Sequence, residues 1–150
     1  MKSIFNKDAY NEILARLEHL SENSQAKWGK MNVSQMLIHC QKPIKIAFDE
    51  ETVQKPNFLM KLMIKFFKPT LYNDKPWKQG LPTAKEFVIK DDKDFETAKN
   101  DLKQLVSRMH ENEADFKPSK NHPIFGKMES WMWGQSAYKH LDHHLTQFGV

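Results

Sequence analysis

The sequence predicts an all-α protein built as a four-helix bundle, on three observations. Apolar residues recur at three- and four-residue spacing in four long stretches, the mark of amphipathic helices. Glycine is scarce, with five in 150 residues. The prolines Pro56, Pro69, Pro76 and Pro82 cluster mid-chain and divide two helical halves. A length of 150 residues fits one domain, 1–150, large enough to bury a core without staples.

The first helix is expected over residues 7–21, with Ala9, Tyr10, Ile13, Leu14, Leu17 and Leu20 on one stripe. The second covers "NVSQMLIHCQKPIKIAF" (32–48), where Asn32 followed three residues later by Gln35 reads as a capping box. Its stripe is Val33, Met36, Leu37, Cys40, Ile44 and Ala47, and Pro43 within it predicts a kink or an early stop. A short apolar segment, "NFLMKLMIKFF" (57–67), is expected to be helical, and "PWKQGLPTAKEFVIKDD" after it extended or irregular. The third long helix is expected over 94–113, with Phe95, Ala98, Leu102, Leu105, Val106 and Met109 inward. A loop with Pro118 and "NHPIFG" leads to the fourth, over 129–148, with Gly149 placed to end it.

Short links join the first helix to the second and the third to the fourth. The connection between the second and third is long and irregular enough to cross the length of a bundle. That allows those two helices to run parallel, in an up-down-down-up order.

Composition narrows the function classes. The net charge is +4, with basic and acidic residues mixed along most of the chain, so no concentrated stripe points to nucleic acid. The first twenty residues carry charges throughout and lack the apolar core of a secretory signal. No apolar run approaches a membrane span, so no stable membrane anchor is expected. Cys40, the single cysteine, excludes an intrachain disulfide. The cytoplasm is the expected compartment.

The stretch "YKHLDHHLTQF" (138–148) holds three histidines within five positions. At about 100° per residue, His144 lies about 40° from His140, toward the apolar stripe, while His143 falls at about 300°, on the far side. His140 and His144 are therefore an i, i+4 pair facing the interior, a spacing that suits two imidazoles on one metal. His39 occupies the matching edge of the second helix's stripe, and facing helices are where bundles build metal sites. Three neutral imidazoles leave a position open for water or substrate, as in catalytic rather than structural sites. The competing reading is a solvated, imidazole-rich helix face.

Four stretches carry a family resemblance: "WGKMNVSQMLIHC" (28–40), "LPTAKEF" (81–87), "HPIFGKM" (122–128) and "HLDHHLTQF" (140–148). Together they resemble an uncharacterised branch of the DinB/YfiT-like superfamily of metal-dependent hydrolases and thiol transferases, from about residue 7 to 148. The resemblance implies a four-helix bundle in up-down-down-up order. It also implies a metal held by one histidine on the second helix and an HxxxH pair on the fourth, here His39, His140 and His144. The expected cofactor is a divalent metal, zinc or nickel in the first place. The expected activity is hydrolysis or thiol S-transfer on a small-molecule substrate, with a low-molecular-weight thiol as a candidate partner. The alternative is a non-catalytic small-molecule binding protein of the same fold. No thiol-recognition motif and no general base can be named, and segment 52–80 matches the family less clearly.

Other residues have plainer readings. Cys40 points about 100° away from His39 and reads as a buried, inert thiol. His122 either packs beneath the fourth helix or touches the site, and His19 and His110 read as surface or edge residues. An acid from another helix could orient an imidazole, but Glu12, Asp49, Glu50 and Glu111 are equally placed and none is singled out. Trp28, Trp131 and Trp133 flank the second and fourth helices as core or as the mouth of a pocket. In 57–68, Lys61, Lys65 and Lys68 share one narrow face and the rest is apolar. That width suits a short helix wedged on the bundle or at a homodimer contact, with a membrane-surface anchor or a lid over the site as alternatives.

Overall fold

The computed structural model describes residues 1–54, 56–73, 75–81, 87–90, 94–116 and 121–150. Among these are five α-helices, α1 (Lys7–Glu18), α2 (Val33–Ala47), α3 (Phe58–Phe67), α4 (Phe95–Glu111) and α5 (Ser130–Gln147), and one hairpin, β1 (Asn121–His122) and β2 (Gly126–Lys127). The molecule is thus mainly helical. α1 packs on α4 and α5, α2 packs on the same two, and α2 against α4 is the most extensive of these pairings. None of the described helices is long and apolar enough to cross a membrane.

The core follows the predicted stripes. Ala9, Ile13 and Leu17 of α1, Met36, Leu37 and Ile44 of α2, Ala98, Leu102 and Val106 of α4, and Leu141 and Leu145 of α5 are buried together. α1 ends at Glu18, three residues short of expectation, although Leu20 is buried. Lys99, a buried lysine of α4, meets the chain there, its ammonium donating to the Glu18 and Leu20 carbonyls at 3.3 Å each. It satisfies carbonyls of the kind that any helix end leaves without an internal partner.

α2 begins with the capping box its sequence announces. Asn32 Oδ1 accepts from the Gln35 amide at 2.8 Å, and Gln35 Oε1 accepts from the Asn32 amide at 3.1 Å. Pro43 does not stop the helix, which runs on to Ala47. The proline removes one backbone donor, while burial of Ile44, Ile46 and Ala47 beyond it holds the last turn in place. Gln41, fully buried, ties α2 to α4 by donating to the Ala98 carbonyl at 3.0 Å.

α5 ends as Gly149 predicts. The Gly149 amide donates to Thr146 O and the Val150 amide to Leu145 O, both at 3.1 Å, with Gly149 at φ +83°. This is the paired-bond helix terminus that favours glycine in a left-handed conformation. The hairpin before α5 falls where the sequence suggested only a loop. It pairs just two residues a side, too short for any alternation to show.

α3 forms where expected, but much of its apolar surface stays outside. Phe58 is 85% exposed and Phe66 75%, with Lys61 and Lys65 also exposed. The 3-10 turn after it, Lys68–Leu71, is fastened to α5 by Lys139. Its ammonium donates to Thr70 O at 2.6 Å, Asn73 O at 2.9 Å and Asn73 Oδ1 at 2.6 Å. The Trp77 indole adds a bond to Thr70 O at 2.9 Å. Most of "LPTAKEF", residues 82–86, and Pro118 lie outside the described residues.

Candidate metal centre

Two helices that pack on each other deliver the three histidines. α5 presents His140 and His144 one turn apart, and α2 presents His39 opposite them. One ligand nitrogen from each of the three lies within 4.8 Å of the others. The ring centroids are separated by 5.0 Å (His39–His140), 4.6 Å (His39–His144) and 4.7 Å (His140–His144). Sequence direction and spatial proximity therefore pick the same three residues.

Hydrogen bonds on the outer nitrogens set the tautomers. His39 Nδ1 lies 3.0 Å from the Phe87 carbonyl, which can only accept, so Nδ1 carries the proton and Nε2 is left as a lone pair. His144 Nδ1 lies 2.8 Å from Gln147 Oε1. The orientation of that amide is fixed because Gln147 Nε2 donates to Trp28 O at 2.6 Å. His144 Nδ1 therefore also carries its proton, and its Nε2 is free to act as a ligand. His39 Nε2 and His140 Nε2 are 3.1 Å apart. That contact is a hydrogen bond if His140 is protonated on Nε2. If its proton sits on Nδ1, the two are converging lone pairs suited to a shared cation.

Gly29 belongs to this arrangement. Its φ is +89°, and a Cβ there would lie 2.5 Å from Gln147 Nε2. The glycine of "WGKM" thus leaves room for the amide that orients His144. Gln147 itself was missed in the sequence, although it sits three residues from His144 on the same helix face. Phe87 carried no signal at all, since its backbone oxygen acts and its side chain does not. The orienting groups are a side-chain amide and a backbone carbonyl. Two of the acids considered are engaged elsewhere: Glu12 accepts from Lys2 and from the Tyr138 hydroxyl, and Glu50 pairs with Arg108.

The site keeps its imidazoles neutral. Burial holds His39 below its ordinary range, His140 well below it, and His144 down to about 3, with neighbouring imidazoles adding to the shift for His140 and His144. Neutral imidazole is the form that binds metal.

The remaining candidates fall outside the cluster. His143 is half-buried and meets Trp28 and Trp77 at ring separations of 5.9 and 5.7 Å. Asp142 points to α1, where Arg16 donates to its carboxylate at 2.6 Å. Cys40 is buried with its thiol pKa raised by desolvation, and its Sγ lies 3.7 Å from Met36 Sδ. His110 has a structural task at the edge of the core, stacking on Tyr10 at 4.1 Å and donating from Nδ1 to Ile4 O at 2.8 Å. His19 is exposed at the end of α1.

The three histidines line one cavity of about 500 Å³, and His143 lines it too, so that residue lies outside the three-nitrogen cluster but not on the far side of α5 as its wheel angle suggested. α2, α5, the hairpin, and Met63, Ile64 and Phe67 of α3 supply its walls, together with Trp77, Phe87 and Trp133. Trp133 thus serves as both core and lining, and α3 acts as a roof. Trp77, in the connection between α2 and α4, packs its indole 5.8 Å from the His140 ring. His122 also lines the cavity. Its Nδ1 accepts from the Ile124 and Phe125 amides at 3.0 and 3.3 Å, and burial pushes its pKa down to about 4.

With this geometry established, the chain belongs to the family described as Protein of unknown function (DUF1569), whose profile matches residues 3–149. No curated protein and no solved structure matches the chain.

Proposed function

We propose that the chain is a metal-dependent enzyme of the DinB/YfiT-like type, a four-helix bundle in up-down-down-up order. His39, His140 and His144 hold a divalent cation, zinc or nickel ahead of other late first-row metals. One observation carries this reading: three buried or half-buried imidazoles converge, two of them with the outer nitrogen already committed to an acceptor. That is the orientation by outer hydrogen bonds that metal-binding histidines use.

The donor set fits such an ion. Imidazole–metal distances of about 2.0–2.1 Å in a tetrahedron set ligand nitrogens roughly 3.4 Å apart, close to the 3.1 Å between His39 and His140. All three donors are uncharged, so a divalent ion keeps its full charge for a substrate anion. When bound, the ion supplies Lewis acidity, which lowers the pKa of water or of a thiol and suits hydrolysis or thiol S-transfer. The protein's own part is to hold His39 through Phe87 and His144 through Gln147, and to surround the ion's open side with apolar groups.

The alternative, a non-catalytic small-molecule binding protein of the same fold, is favoured by the size and apolar character of that cavity. Metal content separates the two. Untagged protein supplemented with zinc or nickel is expected to hold close to one ion per chain, and His144→Ala to lose it while remaining folded. Wild-type protein below about 0.1 ion per chain after supplementation would leave the binding-protein reading standing. An unchanged metal affinity in His144→Ala would show the ligand set to be wrong.

A further inference from the structure

We infer that the substrate is apolar: a hydrocarbon chain or ring system with a single metal-seeking head group, rather than a charged, hydroxyl-rich thiol. This deepens the metal reading proposed above by naming the class of molecule that reaches the three histidines.

The lining of the cavity carries the inference. Among its described residues there is no Asp, Glu, Lys or Arg. The wall is built from groups such as Ile44, Ala47, Ile64, Phe67, Phe125 and Trp133. The two hydroxyls that reach it have already committed their protons to backbone carbonyls and can offer a ligand only acceptor oxygens. Ser136 Oγ donates to Trp133 O at 3.0 Å, and Thr70 Oγ1 donates to Phe67 O at 2.6 Å. His122 faces the cavity as a neutral ring with Nδ1 occupied by two backbone amides. The polar groups that remain are His143 beside the three clustered histidines and, away from them, the Nε2–H of His122 and the unpaired indole N–H of Trp133.

A small thiol bearing ammonium, carboxylate and sugar hydroxyls would have to keep those groups at the open side of the cavity, since each one carried inside lacks a charged partner there, at a cost that a single sulfur contact does not offset. An apolar body meets no such penalty, and its one polar end arrives where a divalent ion and three imidazoles await it. Liquid water occupies about 30 Å³ per molecule, so the 500 Å³ cavity accommodates a ligand on the order of fifteen non-hydrogen atoms. A medium-length acyl chain or a two-ring aromatic skeleton meets that description.

The test is a chain-length series on the intact protein, followed by tryptophan fluorescence. Straight-chain hydroxamates, from acetyl to decanoyl, are titrated into zinc-loaded protein, and straight-chain alcohols into chelator-treated protein. Affinity is expected to rise about fourfold per methylene in both series, from the free energy of burying one CH₂, and to level off once the cavity is full. Glutathione is expected to bind the loaded protein more weakly than octanoyl hydroxamate. Ala137→Phe, which fills the cavity from α5, should bring the plateau to shorter chains. Ile64→Ala, which opens it from α3, should move the plateau to longer ones if the first variant misfolds. Affinity independent of chain length in both series, or tighter binding of glutathione, would overturn the inference. A chain-length effect in a protein that takes up no metal would leave the apolar class standing and remove the metal reading. Metal uptake with a flat hydroxamate series would do the reverse.

Discussion

The cavity has two unlike sides. The histidine side is formed by α2 and α5, whose ends are fixed by a capping box and a left-handed glycine terminus and whose inner faces belong to the core. The roof is α3, whose Phe58 and Phe66 stand in solvent and whose following turn is held to α5 by polar bonds from Lys139 and Trp77. The difference separates two tasks. Groups that must hold a geometry to within a fraction of an ångström sit on elements that the whole fold immobilises. Groups that only have to cover a ligand sit on an element with few buried contacts, the part of a fold that opens most readily.

The largest effect is expected where the rigid side is disturbed behind its ligands. Gln147→Leu removes the acceptor from His144 Nδ1 and the donor to Trp28 O, so His144 loses both its tautomer and its orientation. Metal affinity should fall about 10–100-fold, the range for losing such an outer hydrogen bond. Gln147→Glu keeps an acceptor for His144 Nδ1 but loses the donor to Trp28 O, so it should lose less affinity than Gln147→Leu without matching the wild type. Competition with a chromophoric chelator measures both. Equal losses in the two variants would mean that Gln147 acts through packing and not through the His144 proton.

The same division explains what could be read from the sequence. Helix direction separated His140 and His144 from His143 because α5 is regular over its whole length, so angles on a wheel translate into positions. His39 was legible for the same reason, and so were the capping box at Asn32 and the terminus at Gly149, each a local device written in adjacent residues. The end of α1 was not, and the lysine that meets its last carbonyls comes from a helix distant in sequence. The role of Phe87 was hidden because a backbone carbonyl has no side-chain signature. Trp77 and the cavity itself were hidden because they depend on how the connection between α2 and α4 folds back. That connection is rich in proline and has no period to follow. Gln147 lay within reach, since i, i+3 neighbours share a helix face, but an amide partner is less conspicuous than the acid that was sought.

A smaller effect is expected where the two sides are joined. Lys139→Met keeps the aliphatic stem of a largely buried side chain but withdraws the ammonium from Thr70 and Asn73. A charge-assisted bond is worth about 1.5–3 kcal/mol, and Thr70 O retains the Trp77 indole as a donor, so the cost should fall near the lower end. Metal affinity should stay within about twofold, since no ligand or orienting group is touched. Affinity for a long-chain hydroxamate should drop as the roof loosens. Urea unfolding and the two titrations test this together. A loss of metal affinity as large as that of Gln147→Leu would show that the roof and the histidine side are mechanically one unit.

The smallest effect is expected on the outer surface of the roof. Phe66 is 75% exposed, so Phe66→Ser withdraws little buried area, and surface changes of this kind usually stay within about 0.5 kcal/mol. Monomer stability, metal content and the hydroxamate series should all be unchanged. What this residue can alter is association. Phe58, Leu59, Leu62 and Phe66 fall on one side of α3, a contiguous apolar face of the sort that marks a contact with another molecule. If two copies of the chain meet there, sedimentation should find wild-type protein in a concentration-dependent dimer and Phe66→Ser as monomer. If both proteins sediment as monomers, the outer face of α3 is not a contact between copies. A shift in the chain-length series with no change in mass would mean that Phe66 reaches the ligand, and the division between a rigid histidine side and a roof that merely covers would have to be redrawn.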